Sequence, residues 1–586
     1  MIRERPAAFF LLEQRRFRPV GGQPHLVTFD GGDEAARNIM VVVRVGAAVG
    51  PSELDPAAFD LVDSADMHPV GADHLHMLPD VAQVCHHPLL QLLRSFSQRG
   101  RRRMDAPPAR APPLHYGIGN VSVRLAARPR RGAMIRPRPF AAIILAAGKG
   151  TRMKSDVHKV LHPIAGRAML DHLMGVLEGL GPARKIVVVG SGREQVQGLV
   201  DARGGEIVVQ EQQLGTAHAV RQAEPKLADF GGDVIILYGD TPLIEPETMA
   251  HMLERLHSPD EPGVVVVGFR PKDPMQYGRI LARGDGTIEK MVEYKDATPE
   301  ERAVNLCNSG LLAARSSELF GWLARVGNAN AAGEYYLPDV VMLAAEDGRH
   351  SAVIEAEPWE MAGVNSRAEL ALVEAEWQRR RRLKAMADGV TLVAPDTVWF
   401  AHDTEVGRDT VIEPNVVFGP GVTIGERVCI RAFSHIEGAT IADDAQIGPY
   451  ARLRPGADIG ERARVGNFVE VKKARLGPGA KANHLTYLGD ADIGANANVG
   501  AGTITCNYDG FFKYRTNIGE GAFIGSNTAL VAPVTIGAGA LVGAGSVITR
   551  DVPADAVALA RGEQVEKPGR AARFRQAMQA KKGRAS

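Results

Sequence analysis

From about residue 390 to about residue 560 an aliphatic side chain recurs every six positions, commonly with glycine directly behind it. One register runs Ile441, Ile447, Leu453, Ile459, Val465, Val471 and another Ile524, Leu530, Ile536, Val542, while Ile493 and Val499 join after five-residue steps. An α-helix repeats its faces about every 3.6 residues and does not hold this period. A β-sandwich alternates within its strands and spaces them irregularly. The pattern predicts a β-solenoid in which each flat strip supplies one inward aliphatic and stacked coils bury a continuous column. The following glycines admit turns with positive φ.

Between residues 140 and about 365 apolar strands alternate with helical spacing. Strands are expected at Ala141–Leu145, Lys185–Val189, Val234–Tyr238 and Val264–Val267, with a helix at Met169–Leu180. Such alternation predicts a parallel, doubly wound α/β sheet. Ser366–Met386, charged and containing Arg379–Arg382, reads as a solvent-exposed connecting helix. The expected organisation is an extension at 1–133, an α/β domain at 134–365, a linker helix at 366–389, a solenoid at 390–561 and a basic flexible tail at 562–586.

The extension has its own grammar. It holds 17 Arg and no Lys, whereas all 16 lysines lie from Lys149 onward, and Pro- and Arg-rich patches interrupt any periodicity. Three readings stand open: a translated stretch upstream of a true start at Met134, a disordered extension, and a small accessory domain binding acids or nucleic acid. Arginine runs are more often solvated faces or tails, which ranks the last reading lowest. The whole chain carries 45% hydrophobic and 23% charged residues with a net charge of +1, which describes a soluble globular protein rather than a polyanion binder. Cys85, Cys307, Cys429 and Cys506 are too far apart in sequence for a metal-type pair and too sparse for a disulfide framework. No apolar run approaches the roughly 18 residues of a membrane span. The beginning of the chain lacks the ordered regions of a signal peptide. Cytoplasm follows by elimination, with neither membrane nor nucleic acid as partner.

Strand Ala141–Leu145 runs into Ala146-Ala147-Gly148-Lys149-Gly150-Thr151-Arg152-Met153. Small residues let backbone N–H groups approach an anion, and Arg152 and Lys159 add charge for phosphate oxygens. A Gly-rich turn alone is weak evidence, and this one has neither dinucleotide-binding nor Walker spacing. The longer run Leu145–Met153 followed by Lys159-Val160-Leu161 resembles the signature of the sugar-phosphate nucleotidyltransferases. With the hexapeptide repeats behind it, the stretch from about Phe140 to Arg561 resembles the bacterial bifunctional N-acetylglucosamine-1-phosphate uridyltransferase and glucosamine-1-phosphate N-acetyltransferase family. That resemblance implies a Rossmann-like, mostly parallel α/β domain followed by a left-handed parallel β-helix. It also implies synthesis of UDP-N-acetylglucosamine, a peptidoglycan and lipopolysaccharide precursor. Family chains begin only a few residues before the Gly-rich strand, which favours Met134 as the start.

The resemblance implies roles one position at a time. Leu145, Ala146, Ala147, Gly148, Lys159, Gln210, Gly215, Thr216, Tyr238 and Gly239 correspond to UTP-binding positions, with Gln210 offering the donor and acceptor that uracil requires. Asp240 and Asn365 correspond to the Mg²⁺ ligands, a donor pair suited to a hard cation that keeps several waters. Gly278, Glu293 and Asn308 correspond to sugar-binding positions. Taken singly, an Asp after a strand is more often a cap, a lone Gln or Asn is more often a surface residue, and Glu293-Tyr294-Lys295 fits an exposed strand; the ordered set reverses those odds. Phosphoryl transfer needs alignment and charge neutralisation rather than a protein nucleophile, and Arg152 and Lys159 are the expected catalytic cations.

On the solenoid, charged and polar residues interrupt the aliphatic ladder. His484 corresponds to the general base of acetyl transfer, a role suited to a side chain that titrates near neutrality, and Glu470 is expected to orient its ring. Arg454 and Lys472 correspond to a grip on the sugar phosphate. Tyr487, Asn498, Asn507 and Tyr508 correspond to sugar-facing groups, with Lys513 nearby. Ala501, Ser526, Ala544 and Arg561 match the acetyl-CoA side, and the Ala501 N–H is expected to steady the oxyanion. Cys506 reads as a small buried hydrophobe. The resemblance further implies a homotrimer formed through the β-helix. Three alternatives compete: a binding module with a degenerate site, a glucose-1-phosphate nucleotidyltransferase with an inert solenoid, and a structural scaffold. The presence of Arg152, Lys159, Asp240 and His484 opposes the first. The intact His484 and Asn507-Tyr508 segments oppose the second, and the scaffold leaves the charged clusters without purpose.

Overall fold

The computed structural model describes residues 25–27, 41–45, 121–124, 138–148, 150–274 and 276–584, divided into a unit ending at Pro137 and a unit beginning at Arg138. In the first unit His25–Val27, Val41–Val45 and Val121–Arg124 pair as a three-stranded antiparallel sheet. The other expectations for 1–133 fall outside the described residues.

The second unit opens with a nine-stranded sheet. Its strands are β1 (Phe140–Ala146), β2 (Arg184–Val189), β3 (Glu206–Val209), β4 (Asp233–Tyr238), β5 (Val264–Phe269), β6 (Arg279–Ala282), β7 (Ile288–Val292), β8 (Cys307–Arg315) and β9 (Ser351–Glu355). Their order is β7-β6-β8-β4-β1-β2-β3, and β5 pairs with both β8 and β9. β1 is buried along its whole length, the signature of a central parallel strand covered on both faces. β4, β1, β2 and β3 run parallel, whereas β8 lies antiparallel to β4, β5 and β6. The helix Met169–Leu180 buries Met169, Leu170, Leu173, Met174 and Leu177 on one face and stops at Gly181, whose φ of +67° suits a left-handed cap. Hydrophobic clusters fill the two sides of the sheet.

The rest of the unit is a three-sided column of parallel strands, with sheets of ten, eight and eight strands. We call face one the ten-stranded sheet that includes Lys481–His484, face two the sheet that includes Tyr487–Gly489, and face three the sheet that includes Ala491–Ile493. Every aliphatic named in the two six-residue registers points into one continuous core. The corner between faces one and two is made by residues in the left-handed region, among them Phe433, Tyr450, Phe468, Leu485 and Asn527. Phe433, Tyr450 and Phe468 stack their rings at 4.9 and 5.1 Å along that corner.

One expectation is corrected. The connecting helix, Arg367–Ala387, is not solvated all round: Val373, Gln378, Arg382 and Ala385 are buried. The Gln378 amide pairs with both backbone groups of Phe400 at 2.7 and 2.9 Å, Arg380 stacks on Trp359 at 3.7 Å, and Arg382 reaches Asp396 at 3.1 Å. Gln378 and Arg382 satisfy backbone and carboxylate partners in place of water, and Arg380 covers a ring. The basic tail contains a helix, Arg570–Lys582. Its Ala, Arg, Gln and Lys are strong helix formers, and no side chain in it is buried.

Candidate functional site

β1 ends in the Gly-rich turn, which opens a cleft of about 340 Å³. Leu145, Ala146, Ala147, Gly148, Lys159, Gln210, Gly215, Thr216, Tyr238 and Asp240 line it, as do Val160, Gln213, Ala219 and Glu334. Gly150, at φ +57°, closes the turn over Lys159; a Cβ there would lie 2.9 Å from the lysine Cβ. Gly215, at φ +116°, passes so close to Tyr335 that a Cβ would lie 2.5 Å from its carbonyl oxygen. Gln210 is buried and donates to Gly215 O at 3.1 Å, with His218 Nδ1 at 3.0 Å. Arg152 stays exposed on the short turn Thr151–Met153 and does not line the cleft.

Lys159 Nζ donates to Asp240 Oδ2 and, at 3.1 Å, to Asn365 Oδ1. Two segments distant in sequence therefore converge on one cation. Asp240 lies two residues beyond β4, and its carbonyl accepts Val364 N at 2.9 Å, which fixes Asn365 beside it. Asn365 N in turn donates to Glu369 in the connecting helix at 2.7 Å. The carboxylate and amide oxygens already share an ammonium, so the pair fits a cation, and hard oxygen donors of this kind suit Mg²⁺.

Glu293 directly follows β7, and its carboxylate oxygens lie 3.4 Å from the place a Gly278 Cβ would occupy. Burial, reinforced by Asp339, Asp296 and Glu334, holds its pKa above the usual carboxylate range. Asn308 N donates to Gly278 O at 2.9 Å, and Asn308 Oδ1 accepts Gly310 N at 2.9 Å. Gly278, Glu293 and Asn308 thus form one group. Gly310 (φ +85°) lets Tyr238 pack close by: a Cβ would lie 2.6 Å from its ring. Gly239 N donates to Leu145 O at 2.9 Å, joining the ends of β4 and β1.

On the solenoid the expected residues divide between two edges of face two. His484, Ala501, Ser526 and Ala544 each sit immediately before the corner residue of successive coils: Leu485, Gly502, Asn527 and Gly545, all with positive φ. Asn527 N bonds to Ala501 O, Gly545 N to Ser526 O and Arg561 Nη1 to Ala544 O, so these positions form one axial line. Along the opposite edge lie Arg454, Lys472, Asp490 and Asn507, with Asn507 Nδ2 donating to Asp490 at 2.5 Å. Arg454 and Lys513 beside it pull the Lys472 ammonium pKa down, and Arg454 Nε is buried without a hydrogen-bond partner. Tyr487 reaches across face two, its hydroxyl lying against Gly489, which the Asn507 amide also approaches. Asn498 sits instead on face one, and Tyr508 stays exposed beside Lys513.

Glu470 does not orient His484 here. It pairs with Arg454 at 2.7 Å, while His484 Nδ1 meets Asn467 Oδ1, its register neighbour, at 2.7 Å. A guanidinium within reach is a stronger partner for a carboxylate than an imidazole. Cys506 is half-buried on face two rather than a core hydrophobe. Asn467 opens a charged run that interrupts the aliphatic ladder but carries no role in sequence, and Glu334 stands in no motif; strand register and the approach of 334–337 to Thr216 reveal them.

The MobA-like NTP transferase domain family matches residues 142–298, and the bacterial transferase hexapeptide (six repeats) family matches 403–438, 438–473 and 515–550. The bifunctional protein GlmU of Rhizorhabdus wittichii is 70% identical over 445 residues, which are 76% of this chain and 98% of that protein. Those of Sphingopyxis alaskensis and Zymomonas mobilis subsp. mobilis are 62% and 58% identical, again over 76% of this chain and 98% and 99% of theirs. The chain belongs to the bifunctional GlmU family. It is therefore a bifunctional transferase of UDP-N-acetylglucosamine synthesis, with a nucleotidyltransferase domain and a left-handed β-helix acetyltransferase domain. GlmU membership adds meaning to the geometry: the cleft beside Gly148 falls within or next to the NTP transferase match, and His484 stands on the hexapeptide column. Among the described residues no helix is long and apolar enough to cross a membrane.

Proposed function

We propose that the cleft beside Gly148 transfers UMP from UTP to N-acetylglucosamine 1-phosphate, and that face two of the column acetylates glucosamine 1-phosphate with acetyl-CoA. The first activity is assigned to 134–365 and the second to 390–561, joined by 366–389. The observation that carries this reading is the Lys159 ammonium held between Asp240 and Asn365 at the end of the cleft.

For nucleotidyl transfer, the sugar phosphate oxygen bonds to the α-phosphorus of UTP as the bond to the β-phosphate oxygen breaks, releasing pyrophosphate. Gln210, Gly215 and Thr216 hold the base end, and Gly278, Glu293 and Asn308 hold the sugar. Lys159 neutralises phosphate charge, and Arg152 closes on the phosphates from its exposed position. Asp240 and Asn365 would hold Mg²⁺, which supplies further charge neutralisation when bound.

For acetyl transfer, Asn467 Oδ1 only accepts, so His484 Nδ1 carries the proton and Nε2 presents its lone pair. Nε2 takes a proton from the sugar amine as the amine attacks the thioester carbonyl and coenzyme A leaves as a thiol. Arg454 and Lys472 take the sugar phosphate, an anion that relieves their mutual repulsion. Tyr487, Asn507 and Tyr508 face the sugar. Acetyl-CoA lies along Ala501, Ser526, Ala544 and Arg561, with the Ala501 N–H at the oxyanion. The working form is a homotrimer packed through the column in the cytoplasm, and Asn498, on the neighbouring face, serves an adjacent subunit.

Two assays on one purified sample test the reading: pyrophosphate from UTP, N-acetylglucosamine 1-phosphate and Mg²⁺, and free thiol from acetyl-CoA and glucosamine 1-phosphate. Asp240→Ala should abolish mainly the first. His484→Ala should lower only the second, by at least about a hundredfold. Loss of both activities from either change in a folded protein overturns the two-site assignment.

A further inference from the structure

Arg279 opens β6, directly after Gly278, and at 2% exposure it is the bulkiest fully buried side chain among the described residues. Its guanidinium binds backbone carbonyls from two separate segments. Nε donates to Arg302 O at 3.2 Å, and Nη1 donates to Pro274 O at 3.4 Å and to Tyr277 O. The same guanidinium lies 5.6 Å from the centre of the Tyr294 ring. Arg302 approaches that ring at 4.6 Å and donates to Tyr294 O at 3.1 Å. One buried fork therefore ties 274–278 to 294–302.

Those segments flank Gly278 and Glu293, two of the residues assigned above to the sugar. Gly278 immediately precedes Arg279, and Glu293 immediately precedes Tyr294. The Glu293 carboxylate stands beside Gly278, 3.4 Å from the place its Cβ would occupy. The spacing between them is set one residue away, where the Arg279 fork and the Tyr294 ring lock the strand ends. The nucleotide end is built from other elements, namely the Gly148 turn, Gln210 and the Gly215–Thr216 step.

We propose that Arg279 is a positioning residue that sets affinity for N-acetylglucosamine 1-phosphate by fixing Gly278 against Glu293, without itself touching substrate. This rests on the uridyltransferase reading above. A planar guanidinium addresses several carbonyls at fixed angles, whereas a lysine ammonium is a point charge on a flexible stem. Charge alone does not replace it, and the loss falls on the sugar rather than on UTP.

The test uses the full chain as Arg279→Lys and Arg279→Met. UTP and N-acetylglucosamine 1-phosphate are varied separately, and acetyl transfer and the thermal melt gauge folding. Arg279→Lys should raise KM for the sugar phosphate about tenfold or more while leaving KM for UTP within about twofold, a split that general loss of structure does not produce. Arg279→Met should raise it further. If Arg279→Met fails to fold, calorimetric binding of N-acetylglucosamine 1-phosphate and of UTP to Arg279→Lys decides. A folded Arg279→Lys with wild-type sugar KM, or with both KM values raised equally, overturns the proposal alone. A wild-type protein that releases no pyrophosphate overturns the parent reading and this one together.

Discussion

Gly215 adopts φ +116° where Tyr335 crosses it, so an alanine there meets both a strained backbone and a carbonyl 2.5 Å away. The strand of chain that would move also carries Glu334 into the cleft and donates Leu337 N to Thr216 Oγ1 at 3.0 Å. Gly215→Ala should cut pyrophosphate release by about tenfold or more, at roughly 1.4 kcal/mol per decade, and leave thiol release unchanged. His172 is a second residue with a reach beyond its size. It is packed near Trp377 and His402 at 6.3 and 6.1 Å and donates Nε2–H to Ile164 O at 2.8 Å. Burial brings its pKa down from 6.5 to about 4; Arg167 and His402 push the same way, while the Ile164 carbonyl and Asp171 oppose. The unfolded chain therefore takes up a proton between pH 6.5 and about 4 that the folded chain refuses. This group's stabilisation is complete above pH 6.5, is lost as pH falls toward about 4, and falls no further below that. Denaturation midpoints across that window should slope less for His172→Gln than for the wild type.

At the scale of elements, the rungs and the connecting helix fail in different ways. Ile447 is fully buried in the column, and Ile447→Ala should cost about 2–5 kcal/mol, read as a lower denaturant midpoint, because a stacked column relaxes little into a cavity. Gln378 stabilises by pairing rather than by volume. Gln378→Leu should cost about 1–3 kcal/mol by leaving both Phe400 backbone groups unpaired. This contrast explains what the sequence made legible. Each rung repeats one inward aliphatic, so the register from Ile441 to Val471 could be read without a structure. β1 and the helix Met169–Leu180 were legible for the same reason. β6, β7 and β8 were missed: Arg279 lies buried in β6 where a strand pattern wants an aliphatic, and β7 exposes Glu289 and Lys290. The helix Arg367–Ala387 misled because a polar side chain bonded to buried backbone looks, in sequence, like a solvated one.

Over the whole molecule, motif reading found the cleft lining well because those residues cluster in a few short runs. It placed Glu470 on His484 wrongly, because the competition between Arg454 and an imidazole for one carboxylate exists only once coils are stacked. The column also has two unlike ends. Trp377, Gln378 and Ala385 close the one near Phe400, whereas at the other Val557–Ala558 pairs with a single neighbouring strand and Val557 and Leu559 are 67% and 61% exposed. Near-identical parallel rungs are an invitation to endless fibre growth, since any uncovered edge can template the next strand. Joining molecules head to tail needs two sticky termini, and a cork at one of them forbids that union; only two open ends can meet, and such a pair has nothing left to extend.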